Sequence, residues 1–568
     1  MNYNRDDYTA FLNAEYNAQI KEYERLINTK AIVLKENGAV FVGLFVGFQD
    51  DVALFKVRIS NKMPLKNSYW TASCFIGKMG SFKHWEDYSW ADLREQYQSG
   101  CTDAHCVCIS KSEEPDFCLI GIKGITLEFA DLLAQQKPVI AFGPKDPPLR
   151  YLINLKQIVQ GTQSETANAV LDFNLSPTCL WDPRKVKASE DIKPLIHSAF
   201  EGHSTIAIQG PPGTGKTSKI AELIAELLEA GKSVLVTSMT NEALRTLASK
   251  KALKSFLSAG KVSKTSVTLD DKNALPMLVV NKDNTCDASS GNLSLATFYN
   301  SSSWAKHNYD TPPFDYVVVD EASQALLPML AASNILGKKV IWIGDQNQLA
   351  PIVLINEDII SNRDWTPIVK GFYTICNNVS IPSFMLTDTY RLTKRGADFT
   401  GIFYNNELCS VSEVEKSYTN ISNLNLLGGP TLIDLDMIVG DKKPENAFSV
   451  IINLSKQILT EHPKAEIAIL AKFKETVEAL QKSFITQIAD EQLPSNIRIE
   501  TVDKIQGMTV DYTLFLIPNA TVAYSLEREL FNVATSRARY CTVIVADKKI
   551  LKNYMNPDVR KFLLKLKE

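Results

Sequence analysis

From Thr205 to Ser218 the chain reads TIAIQGPPGTGKTS, and this stretch decides the fold. The apolar run TIAIQ leads straight into Gly210–Thr217, a complete G-x-x-x-x-G-K-[ST], and SKIAELIAELLEAG follows with helical spacing. A strand, a Gly-rich loop and a helix in that order turn backbone N–H groups inward around a phosphate chain, next to a helix N-terminus. The candidate cradle is Gly210, Pro211, Pro212, Gly213, Thr214, Gly215, Lys216, Thr217 and Ser218. In such a cradle Lys216 reaches the β- and γ-phosphates and Thr217 offers its hydroxyl to Mg²⁺. The competing reading is a Gly-rich structural turn.

A nucleotide site that hydrolyses needs a second half, and FDYVVVDEASQ (Phe314–Gln324) supplies it. Three valines end a buried strand, so Asp320 emerges at the carboxyl edge where open α/β sheets bind ligands. Asp320 is the candidate metal holder and Glu321 the candidate that orients and polarises the attacking water. An acidic pair after a β run is common, and its weight here comes from the Gly-rich loop.

Around these two segments, apolar runs of strand length alternate with longer amphipathic stretches: SVLVTS, YVVVD, KVIWIGD, IAILA, YTLFLI and CTVIVAD between helical patterns. Buried strands alternating with helices predict parallel sheets wrapped by helices. There are too many strands for one ordinary sheet, and a break near Asn362 to Pro382 predicts two α/β domains in tandem. Their expected bounds are 191–375 and 376–568, after an accessory region at 1–190. That region opens with a helical pattern from Asp6 to Leu26. Short β-rich runs follow, two of them in KAIVLKENGAVFVGLFVGF about an Asn37-Gly38 hairpin signal, then VALFKVRI, CFIGKMG, HCVCIS and FCLIGI. These predict a small barrel or sandwich, and a linker holding Pro144, Pro147, Pro148, Pro177 and Pro183 leads out of it.

The 568 residues are 45% apolar and 22% charged, which excludes wholesale disorder. No apolar run approaches the roughly 18–20 residues of a membrane span. The start, MNYNRDDYTAFLNAEYN, lacks a secretory pattern, and ten scattered cysteines make no disulfide framework, so the expected compartment is reducing and cytoplasmic. A net charge of −3 gives no bulk attraction to nucleic acid. Any polyanion must therefore bind in a local basic groove. KKALKSFLSAGKVSK and the Lys-rich C-terminus read as solvated helix faces.

The segments GPPGTGKT, TSMTNEAL, DEASQ, GDQNQLAP, LTDTYRL with FYNNEL, TVDKIQGMTVDYTLF and FNVATSRAR stand in this order along about the last 365 residues. In them the chain resembles the superfamily 1 helicases, specifically the branch that holds the up-frameshift RNA-surveillance helicase, senataxin and the immunoglobulin-mu-binding helicase. The resemblance implies two RecA-like domains with ATP and Mg²⁺ in the cleft between them. It makes Gln348 a γ-phosphate sensor, with Asp345 organising the same loop. It makes Tyr390 the aromatic on the base, Arg391 a γ-phosphate contact and Arg537 the arginine finger. It also places a single strand of DNA or RNA against Ser238, Thr240 and Asn241 in the first domain and Thr501, Gln506 and Gly507 in the second. The N-terminal arrangement resembles the family's stalk and barrel, a possible partner surface.

The chain departs from the family's pattern in two places. LAKFKETVEAL puts Ala471, Lys472, Phe473 and Thr476 where the family has a Thr-Pro-aromatic opening and a later Gln, leaving Lys472 or Lys474 as a charge contact to the strand. KVKASEDIKPLIHSAFEGHS holds no Gln to read adenine, so ATP is expected with looser base preference. Two further constellations carry less. Cys101, His105, Cys106 and Cys108 invite zinc, but HCVCIS alternates like a strand. EEPDFCLIGIK lacks the second acid of a nuclease. The function expected from the resemblance is an ATP-dependent helicase or translocase on single strands, moving 5′ to 3′. The alternative is a nucleic-acid-stimulated ATPase switch inside a larger complex, without processive unwinding. A partner-binding scaffold would have no reason to keep Lys216, Asp320, Glu321, Gln348, Arg391 and Arg537 together.

Overall fold

A capping box starts the first helix, Arg5–Ile27: Asn4 accepts from the backbone N–H groups of Asp6 and Asp7, and Asp7 answers the N–H of Asn4. This is the computed structural model of the chain, and it describes residues 4–59, 64, 66, 68–75, 85–136, 138–172, 182–378, 381–413, 421, 423–487 and 496–567. Pro177 and the end of the CFIGKMG run lie outside the described residues. The stalk helix buries Tyr8, Phe11 and Leu12 in the same core as the helix Leu149–Gly161 and the first large sheet. Its Glu15, 1% exposed, accepts from the N–H groups of Leu354 (2.9 Å) and Ile355 (3.1 Å) and from Gln19 (2.7 Å). The stalk is thereby locked onto the first large domain by a buried carboxylate.

Six antiparallel strands then close into a barrel in the order β1-β2-β5-β4-β3-β6. They are β1 (Phe41–Gln49), β2 (Val52–Arg58), β3 (Tyr69–Phe75), β4 (Gln98–Lys111), β5 (Phe117–Lys123) and β6 (Val139–Gly143). Alternation sends Phe45, Phe55, Ile120, Ile122 and Phe142 inward. The hairpin expected at Asn37-Gly38 is not there. Ala31–Glu36 is a helix, Asn37 caps its C-terminus, and Gly38 takes the left-handed φ of 71° that ends it. Asn-Gly suits both jobs because both need a residue at positive φ. The hairpin falls instead at Asp50-Asp51, where Asp50 has φ 53°.

Along β4 the thiol of Cys106 is buried in the barrel core and Cys101 is exposed, while His105 stacks on Tyr69. Among the described residues no group of three or more His, Cys, Asp or Glu is placed to hold a metal. No described helix is long and apolar enough to cross a membrane.

Nine parallel strands form the first large sheet, in the order β11-β10-β12-β9-β13-β14-β8-β15-β7. In chain order they are β7 (Arg184–Val186), β8 (Thr205–Gln209), β9 (Val234–Ser238), β10 (Val262–Lys264), β11 (Val279–Val280), β12 (Leu293–Thr297), β13 (Phe314–Val319), β14 (Gly337–Gly344) and β15 (Ser383–Leu386). The two-stranded pair β16 (Asp388–Thr389) and β17 (Cys409–Ser410) follows. A second parallel sheet has the order β18-β22-β21-β19-β20, from β18 (Gly429–Leu435), β19 (Ile467–Ala471), β20 (Ile497–Thr501), β21 (Val510–Ile517) and β22 (Ala538–Asp547). Helices cover both faces of each sheet, as the continuously apolar strands require. The first sheet takes its strand β15 from beyond residue 376, the expected division, because Ser383–Met385 pairs with β8 and completes the floor under the Gly-rich loop.

In the basic segment Lys251, Lys254 and Lys261 are exposed, as a solvated face requires, but Lys264 is not. Lys264 is 1% exposed, 2.7 Å from Asp271, which also meets Arg245 at 3.1 Å. At the C-terminus Lys565 pairs with Asp398 and Lys567 with Asp434.

Replacing Glu15 by Ala strands the buried N–H of Ile355 and the partly buried N–H of Leu354 and removes charge-assisted bonds. The expected loss is about 3 kcal/mol, seen as a lower thermal midpoint, with Glu15→Gln intermediate.

Candidate functional site

Every residue of β8 is buried, and the chain leaves it through a loop that only glycine can follow at two points. Gly213 has φ 74° and Gly215, which caps the helix Lys216–Glu229, has φ 77°. A Cβ on Gly213 would lie 2.4 Å from Arg391 Cβ and 2.6 Å from Thr389 Oγ1. The loop is held from inside and outside. Thr214 donates to the Pro211 carbonyl at 2.9 Å, and Lys216 Nζ donates to the carbonyl of Gly210. From outside, Thr389 Oγ1 donates to the Pro212 carbonyl (2.8 Å) and the Tyr390 N–H to that of Gly213 (2.9 Å). The Tyr390 ring, 49% exposed, lies over Gly215. Thr389 was not singled out by sequence reading, although it sits inside the matched LTDTYRL.

Asp320, 6% exposed, follows β13 directly, and its Oδ1 accepts from the N–H of Glu321 at 3.0 Å. Burial pushes its carboxyl up to about 7, helped by the charge of Glu321 and opposed by Lys216. Glu321 has φ 54°, a left-handed conformation that costs a non-Gly residue strain. This turn aims Glu321 across the cleft, where a Cβ on Gly507 of the second domain would be 3.5 Å from its Oε1.

The cleft is tied together by Asp345, 2% exposed. Its Oδ2 accepts from Gln348 Nε2 (2.8 Å) and the Tyr404 hydroxyl (2.6 Å), and its Oδ1 from Gln209 Nε2 (3.3 Å) and the Asn347 N–H (3.1 Å). Tyr404 in turn accepts from Asn532 Nδ2 at 2.9 Å, and the same Nδ2 lies 2.8 Å from the Asn347 carbonyl. Arg528 adds a bond to Asn347 Oδ1 at 2.7 Å. Burial and then the nearby Asp345 hold the Tyr404 phenol well above its ordinary range. Tyr404 and Asn532 carried no sequence signal beyond lying in FYNNEL and FNVATSRAR.

Two arginines from beyond β15 close the site. Arg537, 1% exposed, donates to the Val533 carbonyl (3.0 Å) and lies 3.3 Å from Ser536 Oγ. Arg391 donates to the Ser536 carbonyl at 3.1 Å, while its Nε is buried without a partner. Among the described residues neither guanidinium pairs with a carboxylate within ion-pair distance. Burial draws both below the ordinary arginine range. Arg537 and then Arg539 depress Arg391 further, and Glu321 partly offsets the effect on Arg537. Buried cations answered only by neutral oxygens are costly, and a polyanion in the cleft would relieve that cost.

The strand-contact candidates lie at the carboxyl ends of β9 and β20. Ser238 Oγ, Asn241 Oδ1 and Gln506 Nε2 are buried and unpartnered. Thr501 is half-buried at the end of β20, and Gly507 has φ 81°. Thr240 is spent as a helix cap on the Ala243 N–H (3.2 Å), and Lys472 is 3.7 Å from Glu527, so its charge is already answered. Thr476 is fully buried and donates to the Lys442 carbonyl at 3.0 Å, so its hydroxyl is already used.

Family comparison matches residues 193–354 and 370–549 to two families each described as an AAA domain, together more than half of the chain. The DNA replication ATP-dependent helicase/nuclease DNA2 of Saccharomyces cerevisiae is 24% identical over 66% of this chain and 26% of its own length. An uncharacterized ATP-dependent helicase of Methanocaldococcus jannaschii is 23% identical over 42% of this chain and 37% of its own. Helicase sen1 of Schizosaccharomyces pombe is 24% identical over 42% of this chain and 15% of its own. The chain belongs to the superfamily 1 helicases, in the up-frameshift and senataxin branch. It spans between about a quarter and two fifths of the first curated relatives it matches. A crystal structure of the arterivirus nonstructural protein 10 (helicase) aligns over 86% of this chain and 79% of that one at 13% identity, with a TM-score of 0.36, too low to carry an argument. Family membership accounts for the two RecA-like sheets and for the paired Gly-rich loop and Asp320-Glu321 turn.

Because the folded carboxyl of Asp320 titrates near 7, well above an unfolded carboxylate, ionising it costs stability that grows from about pH 4 to pH 7 and then levels. Asp320→Asn is therefore expected to raise the melting temperature of the free protein, more at pH 8 than at pH 5.

Proposed function

We propose that this chain hydrolyses ATP and uses the cycle to move along single-stranded nucleic acid in the 5′ to 3′ direction, separating strands or displacing bound proteins. One observation carries the reading. Two buried guanidiniums, Arg391 and Arg537, lie in the cleft opposite the Gly-rich loop and Glu321, with no described carboxylate within ion-pair distance. The names of the relatives, ATP-dependent helicases, agree.

In this reading the loop amides and Lys216 hold the β- and γ-phosphates, and Tyr390 packs on the base. Thr217 and Asp320 fit a Mg²⁺ ion: a hydroxyl at the helix start and a buried carboxylate held beside Lys216 are oxygen donors of the right kind. The ion would neutralise charge on the phosphate oxygens. Glu321, aimed into the cleft by its strained turn, orients the attacking water and receives its proton. Arg391 and Arg537 stabilise charge that develops on the transferred phosphoryl group. Gln348 senses the γ-phosphate through its bond to Asp345. Because Asp345 is also bonded to Tyr404, loss of that contact would reach the helix Arg528–Thr535 and shift the second domain. Ser238, Asn241, Thr501, Gln506 and Gly507 meet the strand, their unpartnered polar atoms suiting backbone contact without sequence preference.

Lys472 bound to Glu527 and Thr476 buried favour a second reading, in which a weakened grip makes the chain a nucleic-acid-stimulated switch with little unwinding. Steady-state ATP hydrolysis without nucleic acid, with single-stranded DNA and with single-stranded RNA tests both readings. The expected result is stimulation by one or both polymers. Loss of about 10²–10⁴-fold is expected in Glu321→Gln, and strand separation on a 5′-tailed duplex is expected to depend on ATP. Stimulation without strand separation would select the switch. Turnover indifferent to either polymer would remove both readings.

Tyr404→Phe keeps the ring and deletes the hydroxyl shared by Asp345 and Asn532. Hydrolysis without nucleic acid is expected to fall less than stimulated hydrolysis, which separates coupling from chemistry. Equal losses would assign Tyr404 a purely structural part.

A further inference from the structure

Tyr69 and His105 face each other across β3 and β4 as a register pair, with ring centroids 4.4 Å apart and planes within 1°. Burial lowers the His105 pKa to about 4, with Lys504 and Arg498 adding to it, so the imidazole is neutral at ordinary pH. Its Nε2 is buried without a hydrogen-bond partner. Tyr69 is 48% exposed, unusual for an aromatic ring placed where three domains meet. Lys504 Nζ stands 5.0 Å from its centroid and Lys145 Nζ 5.8 Å.

The position of this pair is its second distinctive feature. Lys504 belongs to the turn Val502–Ile505, between Thr501 and Gln506-Gly507, the strand-contact candidates of the second domain. Glu242, which acts on the Tyr69 phenol, is the neighbour of Asn241 in the first domain. Arg498 acts on Tyr69, His105 and Lys66, and Gln481 Nε2 reaches the Lys66 carbonyl at 3.4 Å. The barrel is fixed to the first domain by two main-chain N–H donors, one bonded to a carbonyl and one to the Asp270 carboxylate. Leu269 N–H donates to the Ile125 carbonyl at 2.9 Å, and the Gly124 N–H to Asp270 at 3.0 Å. So the aromatic pair overlooks both halves of the proposed strand path from a fixed mount. Lys145, Arg498 and Lys504 lie around it, with Lys145 also 3.4 Å from Asp103. Of the acids that act on the Tyr69 phenol, Glu500 and Lys504 answer each other at 3.1 Å, which leaves Glu242 and the cation Arg498.

We infer that Tyr69, backed by His105, is a stacking plate for one unstacked base of the bound strand, and that Arg498 takes the phosphate beside it. The inference rests on the single-strand reading above and adds a base contact that the polar, backbone-directed grips lack. A plate that served only as seam packing would be covered by apolar side chains. This one meets a lysine ammonium and solvent, and a neutral stacked pair offers a π-face that any base can use.

The test is binding of wild type, Tyr69→Ala and Tyr69→Phe to short single-stranded DNA and RNA homopolymers, and to strands of the same length with abasic sites, across a salt series. Wild type is expected to prefer strands with bases over abasic ones. Tyr69→Ala should lose roughly five- to hundredfold on strands with bases, little on abasic ones, and keep its salt slope. Tyr69→Phe should bind as wild type. Arg498→Ala should lower the salt slope by about 1 on all strands. The polymer that shows the base-dependent loss is the one the plate serves. Equal losses with and without bases, or none, would overturn the inference while leaving the single-strand reading intact. If wild type binds no strand, both fall. Tyr69→Leu keeps apolar packing without the π-face, so a folding defect in the Ala variant would not decide the matter. Leu binding like wild type would also overturn the inference.

Discussion

A buried carboxylate must be answered, and Asp345 is answered from both sides of the cleft. Gln209, Asn347 and Gln348 donate from the first α/β domain, and the Tyr404 hydroxyl donates from beyond β15. Removing any one donor from such a group costs far more than an ordinary surface hydrogen bond contributes. The first domain's loop is therefore committed to a set of contacts that passes through Tyr404 and Asn532 into the helix Arg528–Thr535. That helix leads directly to Ser536 and Arg537. The position of the arginines opposite the Gly-rich loop is thus a consequence of how one charge is satisfied.

The same reasoning applies at the other end of the molecule. Glu15 anchors the stalk by taking main-chain N–H groups of Leu354 and Ile355, a few residues past the Asp345 loop. The barrel follows the stalk and is bonded to the first domain at Ile125 and Asp270. Its described contacts with the second domain are longer, such as Gln481 to the Lys66 carbonyl at 3.4 Å and Lys504 over Tyr69. One domain carries the accessory parts rigidly and the other touches them lightly. That asymmetry suits a machine in which the second domain moves.

Local sequence carried much of the chemistry and some of it ambiguously. The Gly-rich loop was legible because its requirements are local: two positive-φ glycines, a lysine and a hydroxyl at a helix start. Asn37-Gly38 was misread because positive φ serves a helix end as well as a hairpin. Thr240 was placed on a strand path, but its hydroxyl is spent capping the helix that follows, a use that spacing alone does not separate from ligand contact. Lys264 looked solvated until Asp271 was brought beneath it.

By itself the sequence determined the alternation of buried strands with helices, the two RecA-like units, the phosphate loop and the acidic turn, because each is written in residues close along the chain. Only the tertiary structure decided that Thr389 clamps the Gly-rich loop, that Tyr404 and Asn532 join the domains through Asp345, and that Tyr69 meets Lys504. Tyr404 is 59 residues from Asp345, and Tyr69 is in a different domain from Lys504. Such contacts depend on closing long loops around a shared core, and no local pattern records which distant side chain that closure will deliver.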